Sequence, residues 1–257
     1  MPPIPSSMLI TGAGSGLGRG LAHFFAGKGH RLFLADLRLE SVLETIRLIN
    51  GSRGSASAHA LDVTSSSAIQ DFLHAIGDEH IDVLINNAGL QHVDPVESFS
   101  EEKWDLLVDV MLKGPFLLTR SILPRMRQHG FGRIVNIGSI HSLVASPFKS
   151  AYVAAKHGLL GLSKVVALEA AGADITINTV CPAYVRTPLV DAQIRSQAQA
   201  HGISEQEVID KIMLAPMPKK AFITMEEVAA TVEFLLSHAA RNITGQTITI
   251  DGGWTAQ

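Results

Sequence analysis

Short hydrophobic runs alternate along the chain with longer segments in which hydrophobic residues recur at helical spacing. Seven runs have the length and composition of strands: SMLITG, RLFLAD, SAHALD, IDVLINNAG, GRIVNIGS, ITINTVCP and QTITID. Helical patterns separate them, over residues 17–29, 39–49, 65–76, 104–123, around Tyr152 and over 225–237. Because strands and helices that alternate in this way form βαβ units, the pattern predicts a mostly parallel sheet with helices on both faces.

Residues 184–224 fit this alternation least well. They begin with YVRTPLV, contain a helical stretch and close with APMPKKAFIT. An insertion of this length in a compact domain is usually a lid or a binding element. No change of composition divides the rest of the chain. We therefore expect one domain over residues 1–257, with a small substrate lid at about residues 184–224.

The composition restricts the classes to which the protein can belong. Among 257 residues, 21 are Lys or Arg and 24 are Asp or Glu, so the net charge is -3 and there is no basic run for nucleic acid. No stretch approaches the roughly 20 apolar residues of a membrane span, and MPPIPSS lacks the features of a signal peptide. Cys181 is the single cysteine, which excludes an internal disulfide and most cysteine-based zinc sites. We expect a cytoplasmic protein with no membrane, nucleic-acid or metal partner.

A glycine-rich turn, ITGAGSGLGRG, follows the first predicted strand and opens the first predicted helix. Gly12, Gly16 and Gly18 lack side chains, so the backbone can turn sharply and approach a pyrophosphate at the helix N-terminus. Tight turns between strand and helix use glycine for other reasons too. The position directly after a strand favours nucleotide binding.

The ends of the next three strands carry further candidates for nucleotide binding. Asp36 lies twenty residues after Gly16, where its carboxylate can bond both ribose hydroxyls and would repel a 2′-phosphate. This favours NAD, although Arg38 nearby leaves NADP open, and a solvated aspartate is the alternative. Asp62 and Val63 could hold an adenine through a side chain and a backbone amide. The sequence NNAG ends the fourth strand, where the crevice should open.

The segment SAYVAAKHGL places Tyr152 and Lys156 four residues apart, on one face of a helix. One interpretation is a core tyrosine beside a lysine that extends to solvent. The other is a proton shuttle, because a phenol with a pKa of about 10 becomes a better base beside an ammonium group. Ser139 ends the fifth strand, where its hydroxyl could hold the oxygen of a substrate alcohol or carbonyl.

In this order along the chain, TGxxxGxG, NNAG, the strand-end serine and YxxxK resemble the short-chain dehydrogenase/reductase family, from about Met8 to the C-terminus. The resemblance implies a Rossmann-type, doubly wound parallel sheet of seven strands, usually in homotetramers. It implies that Ser139, Tyr152 and Lys156 are catalytic and that Lys156 also bonds the nicotinamide ribose. In CPAYVRTPL, Val185 and Thr187 match the positions that contact the carboxamide.

The residues assigned to the cofactor NAD are therefore Gly12, Ser15, Gly16, Leu17, Gly18, Asp36, Asp62, Val63, Asn87, Ala88, Gly89, Tyr152, Lys156, Pro182, Val185 and Thr187. Two positions depart from the family pattern. Met111 replaces an asparagine that usually holds a water molecule linked to the catalytic lysine, and a thioether cannot replace that amide. Ala183 stands where glycine is usual, which alters a turn but does not threaten the chemistry.

Four polar residues near these motifs indicate the substrate class. Gln91, His141, Lys149 and Gln193 could each be an ordinary surface or loop residue. Together they provide amide donors, an imidazole and an ammonium, which suit a small carboxylate. A site for steroids or long acyl chains would have a more apolar entrance.

The strings NNAGLQHV, GSIHSLVAS, KSAYVAAKHGLLGLSKVVALE, TPLVDAQI and DGGWTAQ closely resemble the 3-hydroxybutyrate dehydrogenase branch of this family. This narrower resemblance implies that the four polar residues bind the carboxylate and that Trp254 packs near the substrate's methyl end. It implies reversible oxidation of (R)-3-hydroxybutyrate to acetoacetate by NAD. Alternatives are reduction of another small ketone or 3-oxo acid, oxidation of another secondary alcohol, or NAD binding without catalysis, which Met111 alone supports.

Overall fold

The structure is a computed structural model that describes residues 6–256, apart from the side chains of residues 188 and 189. It contains seven strands: β1 (Ser7–Thr11), β2 (Arg31–Asp36), β3 (Ser55–Ala60), β4 (Val83–Asn86), β5 (Phe131–Ile137), β6 (Asp174–Pro182) and β7 (Thr247–Ile250). The helices are α1 (Gly16–Gly27), α2 (Leu39–Ile49), α3 (Ser66–Ala75), α4 (Glu101–Val108), α5 (Gly114–His129), α6 (Ser150–Ala170), α7 (Pro188–His201), α8 (Glu205–Val208) and α9 (Met225–Leu236). Within residues 6–256, no helix is long and apolar enough to cross a membrane.

All seven strands are parallel, in the order β3-β2-β1-β4-β5-β6-β7. The prediction of a doubly wound parallel sheet is confirmed. β1 shows why both faces are covered, because Met8 and Ile10 belong to one hydrophobic cluster and Leu9 belongs to the other. Helices α1 and α9 contribute to the first cluster, and α3, α5 and α6 contribute to the second.

The helix expected through residues 104–123 is present and includes one π-helical turn. Its first part, α4, ends at Val108, and a π-helical turn over Asp109–Lys113 leads into α5. The Gly114 amide donates to the Asp109 carbonyl five residues back, and Pro115 has no amide to continue the usual pattern. The wider turn contains Met111, so the predicted helix is confirmed, with π-helical instead of α-helical hydrogen bonding at the point where the chain passes the crevice.

The segment 184–224 contains α7, α8 and a second π-helical turn over Ile209–Met213. Thr187 caps α7, since its hydroxyl accepts a hydrogen bond from the Val190 amide at 3.4 Å. The segment has its own small hydrophobic cluster around Ile194 and Val208. Its function as a substrate lid stays a prediction.

A buried chain of hydrogen bonds joins α6 to the centre of the sheet. The Asn86 amide donates to the Asn136 oxygen at 2.8 Å, and the Asn136 amide donates to the Ser163 hydroxyl at 2.9 Å. Ser163 also contacts the Thr179 hydroxyl at 2.8 Å. The four side chains lie on β4, β5, α6 and β6, so they fix the position of α6 against three strands.

Candidate active site

A crevice opens at the carboxyl ends of the central strands, beside the point between β1 and β4 where the order of the sheet reverses. Most of the predicted site residues line it: Gly12, Ser15, Gly16, Leu17, Asp36, Asn87, Gly89, Gln91, Ser139, His141, Lys149, Tyr152, Lys156, Pro182, Val185, Thr187 and Gln193. Five predicted residues lie outside this lining: Gly18, Asp62, Val63, Ala88 and Trp254.

The glycine turn between β1 and α1 has no room for side chains on its inner side. Gly12 has a φ of +64°, and a Cβ atom there would lie 2.8 Å from the Ala88 Cα atom. A Cβ atom on Gly18 would lie 2.2 Å from the Gly12 carbonyl oxygen. Ser15 precedes α1, and its hydroxyl makes no capping hydrogen bond. The turn thus presents backbone amides and the Ser15 hydroxyl at a helix N-terminus, an arrangement that attracts phosphate.

Asn87 ties the end of β4 to the end of β1. Its side-chain amide donates to the Thr11 carbonyl at 2.9 Å, and its backbone amide donates to the Thr11 hydroxyl at 3.0 Å. The Ala88 amide donates to the same hydroxyl at 3.1 Å. Asn87 and Ala88 therefore hold the floor of the crevice in place.

Asp36 lies at the end of β2, beside the glycine turn. One carboxylate oxygen accepts a hydrogen bond from the Gly14 amide at 3.0 Å, and the other accepts from the Arg38 amide at 3.2 Å. These bonds hold the half-buried carboxylate at the edge of the crevice. The Arg38 side chain is exposed.

Asp62 and Val63 follow β3, farther from the centre of the crevice. An Asp62 oxygen accepts hydrogen bonds from the Thr64 amide at 2.9 Å and the Thr64 hydroxyl at 2.7 Å. Val63 is buried and packs closely against Gly114. A Cβ atom added to Gly114 would lie 3.0 Å from a Val63 methyl group. The structure brings both residues to the nucleotide side of the sheet but not into the crevice lining.

Tyr152 and Lys156 project from one face of α6 toward β5, as their spacing predicts. The Lys156 ammonium is buried, donates to the Ile137 carbonyl at 2.6 Å and lies 5.8 Å from the centre of the Tyr152 ring. Ser139 follows the end of β5, and its hydroxyl accepts from the His141 amide at 3.2 Å. The three side chains line the same part of the crevice.

The crevice perturbs both titratable groups of this trio. Desolvation raises the pKa of Tyr152 above its ordinary value, and the neighbouring Ser139 hydroxyl opposes that shift. Desolvation also lowers the pKa of Lys156 from 10.5 to about 8. Perturbed pKa values cluster at functional sites, and here the pKa of Lys156 moves toward neutral pH whereas that of Tyr152 moves away from it.

Lys149, directly before α6, is a buried ammonium that also lines the crevice and is only 7% exposed. Its Nζ atom lies 3.4 Å from the His141 Nε2 atom and 5.9 Å from the centre of the Tyr184 ring. Among the described residues, no carboxylate lies within 4.0 Å of it. Burial lowers the pKa of Lys149, and burial together with the Lys149 charge lowers the pKa of His141 to about 4. His141 is therefore neutral at pH 7.

Two glutamines that line the crevice have buried polar atoms without a hydrogen-bond partner in the described part of the chain. They are the Gln91 Oε1 and Gln193 Nε2 atoms. A half-turn of a glutamine amide exchanges its oxygen and nitrogen, so that either side chain can donate to a ligand. Gln91 follows β4, whereas Gln193 comes from α7. Buried polar groups are normally bonded, so both atoms fit a polar ligand.

Tyr184 lines the crevice, and the sequence analysis did not assign it to the site. Its ring stacks on Trp254, with centres 6.1 Å apart and planes at 28°. Trp254 also meets His141 edge to face at 6.0 Å, which places it behind the crevice wall. The available signal was the position of Tyr184 directly before Val185, in a segment already assigned to the cofactor.

Met111 is buried in the π-helical turn and lines the crevice. It packs in a small apolar cluster with Leu107, Ala151 and Ala155, beside the Tyr152 ring. A Cβ atom on Gly89 would lie 3.6 Å from its sulfur. Met111 therefore places a packed thioether where the sequence resemblance implies the amide of an asparagine.

Comparison with known proteins agrees with this geometry. A family model described as enoyl-(acyl carrier protein) reductase matches residues 12–255. The D-beta-hydroxybutyrate dehydrogenase of Rhizobium meliloti is 44% identical, and the match covers 97% of this chain and 98% of that protein. The chain belongs to the short-chain dehydrogenase/reductase family.

Other members of this family are also similar to the chain. The D-beta-hydroxybutyrate dehydrogenase of Cupriavidus necator is 39% identical over 97% of each chain. The crystal structure of a variant of actinorhodin polyketide ketoreductase with NADPH has a TM-score of 0.92, 30% identity and complete coverage of both chains. Both resemblances identified in the sequence are confirmed. The protein is an oxidoreductase of a family that uses nicotinamide cofactors.

The low pKa of His141 predicts a loss of stability in acid. The folded protein holds His141 neutral down to about pH 4, whereas the unfolded chain binds a proton near pH 6.5, so stability falls as the pH drops between these values. Between pH 7.5 and pH 5 this group should cost about 2 kcal/mol of unfolding free energy. Urea unfolding of wild type and His141→Gln at both pH values measures the difference.

The other histidines are present in both proteins and cancel in this comparison. An equal loss of stability in wild type and His141→Gln would contradict the prediction.

Proposed function

We propose that the protein interconverts (R)-3-hydroxybutyrate and acetoacetate with NAD as the hydride carrier. The observation that carries this proposal is the Lys149 ammonium, buried in the crevice that Tyr152 lines and without a carboxylate partner among the described residues. A buried unpaired charge is costly, so a substrate that brings the opposite charge is favoured. The names of two relatives, both D-beta-hydroxybutyrate dehydrogenases, support this choice.

The proposed carboxylate site combines Lys149 with neighbouring neutral groups. The ammonium supplies charge, and the Gln91 and Gln193 amides supply donors from two sides of the crevice. Neutral His141 adds a hydrogen-bonding group without further positive charge. Because Gln193 lies on α7, we include residues 184–224 in the proposal as a lid whose closure completes the site.

NAD is the proposed cofactor because the residues around the glycine turn suit it. The inner side of the turn has no space for side chains, which suits close approach of a pyrophosphate. The Asp36 carboxylate, held by the Gly14 and Arg38 amides, is placed to accept ribose hydroxyl groups and to repel a 2′-phosphate. The ketoreductase structure has NADPH, so the preference is tested below with both cofactors.

Proton transfer is assigned to Ser139, Tyr152 and Lys156. During oxidation, Ser139 holds the substrate oxygen and Tyr152 accepts its proton, while the Lys156 ammonium favours the phenolate electrostatically. During reduction, Tyr152 returns a proton to the carbonyl oxygen. When bound, NAD supplies the hydride acceptor. The Ile137 carbonyl keeps the ammonium in place beside the phenol ring.

The deciding measurement is NADH absorbance with purified protein, NAD and (R)-3-hydroxybutyrate. We expect reduction of NAD that is faster than reduction of NADP and selective for the (R) over the (S) enantiomer. Lys149→Ala should raise KM for the hydroxy acid by roughly 10- to 100-fold, because a charged hydrogen bond is lost, with a smaller change in kcat.

An uncharged secondary alcohol serves as the matched control, since its KM should not respond to Lys149→Ala. Tight NADH binding without turnover of any hydroxy acid would contradict the proposal. An unchanged KM for 3-hydroxybutyrate in Lys149→Ala would contradict the carboxylate site.

Met111 gives a prediction about proton exchange. If the missing amide slows exchange between Lys156 and solvent, Met111→Asn should raise kcat several-fold and reduce the solvent isotope effect. Met111→Leu is the control, because it keeps the apolar packing around Ala151 and Ala155 and should leave kcat near wild type. A kcat for Met111→Asn at or below that of Met111→Leu would argue against a limiting relay.

A homotetramer is the proposed assembly. Helices α4, α5 and α6 carry large apolar side chains that are exposed in the single chain: Trp104, Leu106, Phe116, Val165 and Leu168. Exposed apolar surface of this kind is typical of subunit contacts. Light scattering should give about four times the chain mass of 27.5 kDa.

Leu168→Glu should shift the mass to smaller species, since Leu168 is 79% exposed on α6. Leu48→Glu, at a 55% exposed leucine on α2, should leave the mass unchanged. A wild-type monomer would contradict the assembly.

A further inference from the structure

Phe148 has an unusual backbone conformation directly before Lys149. Its φ is +67°, and only Lys220 shares positive φ among the described residues other than glycine. Pro147 and Phe148 occupy a turn, and a proline followed by positive φ is the pattern of a type II turn, which usually has glycine at the second position. A bulky residue in this region is strained.

Burial of the Phe148 side chain does not compensate for this strain. The side chain is 57% exposed and makes no contact with another aromatic ring among the described residues. Strained backbone that packing does not explain is found most often at functional sites. The next residue, Lys149, is the buried ammonium of the proposed carboxylate site.

The loop that contains Asp94 holds the turn at Phe148 by a hydrogen bond. The Phe148 carbonyl accepts a hydrogen bond from the Asp94 amide at 2.9 Å. The Asp94 carboxylate accepts from the Ser98 hydroxyl at 3.0 Å and lies 3.7 Å from the His92 Nε2 atom. The Phe148 peptide is therefore fixed by a loop that is itself braced.

Lys149 is fixed on its other side by α6. Its carbonyl accepts a hydrogen bond from the Val153 amide at 2.9 Å, so it is the residue from which the helix starts. The direction of its side chain is thus set by two peptide groups, one in the helix and one at Phe148. If φ at Phe148 became negative, the chain would enter α6 from a different direction and the ammonium would leave the crevice.

We infer that Phe148 is a positioning residue, whose left-handed conformation directs Lys149 into the crevice against the substrate carboxylate. This inference rests on the proposed function, because the strained turn has this role only if Lys149 binds the carboxylate of the substrate. Because a Cβ atom disfavours positive φ, the hydrogen bond from the Asp94 amide and the start of α6 must hold Phe148 in this conformation.

Substitutions that differ in their tolerance of positive φ test the inference. Phe148→Gly and Phe148→Asn keep the left-handed conformation accessible, whereas Phe148→Val opposes it. All three remove the aromatic ring, so its loss cancels in the comparison. We expect near-wild-type KM for 3-hydroxybutyrate in the Gly and Asn variants and a KM raised roughly 10- to 100-fold in the Val variant.

Three readouts separate positioning from general damage to the fold. NADH affinity and kcat at saturation should be similar in the three variants, because Asp36 lies on β2 and the bond from Lys156 to the Ile137 carbonyl holds α6 against β5. When Lys149→Ala is also present, the difference in KM for 3-hydroxybutyrate between the Phe148→Val and Phe148→Gly variants should vanish. If Phe148→Val does not fold, Phe148→Thr replaces it, since threonine is β-branched as well and opposes positive φ.

Equal KM values for the Val and Gly variants would overturn the inference, as would a difference that persists without Lys149. Failure of the proposed function gives another result, since the wild-type protein would then not reduce NAD with 3-hydroxybutyrate, or Lys149→Ala alone would leave the KM for this substrate unchanged.

Discussion

The hydrogen bond from the Lys156 ammonium to the Ile137 carbonyl joins the helix that carries the proton-transfer groups to the strand that carries Ser139. One helical turn separates Lys156 from Tyr152, so fixing one end of this stretch against β5 also fixes the phenol. Two turns beyond Lys156, Ser163 makes a second attachment through Asn136. The relative positions of hydroxyl, phenol and ammonium thus depend on buried polar contacts between α6 and β5.

The two buried lysines of the crevice are stabilised differently. Lys156 has a carbonyl acceptor and the face of an aromatic ring. Lys149 has a neutral imidazole and an aromatic ring but no carboxylate within 4.0 Å in the described structure. A site selected for stability alone would pair such a charge or replace it with an apolar group. The unpaired ammonium and the strained turn before it are consistent with a protein that accepts lower stability to bind an anion.

Periodic patterns were sufficient to predict the strands and their parallel arrangement, because each βαβ unit is built from neighbouring segments. The details differ at two places: β3 begins at Ser55, two residues before the predicted run, and the helix around Met111 includes a π-helical turn. Helix propensities did not reveal the π-helical turn, because they do not distinguish α-helical from π-helical hydrogen bonding. Tyr184 was missed for a similar reason, because an aromatic residue in an irregular segment has no periodic signal.

The sequence by itself determined the α/β class, the glycine turn, the Tyr152–Lys156 spacing and the family, because local geometry and motif order are properties of neighbouring residues. Only the tertiary structure decided that Lys149 is buried without an acidic partner, that Met111 is packed beside Tyr152, and that Trp254 lies behind Tyr184. These features depend on burial and on contacts between distant segments. Burial is set by the whole fold, so no stretch of sequence specifies it alone.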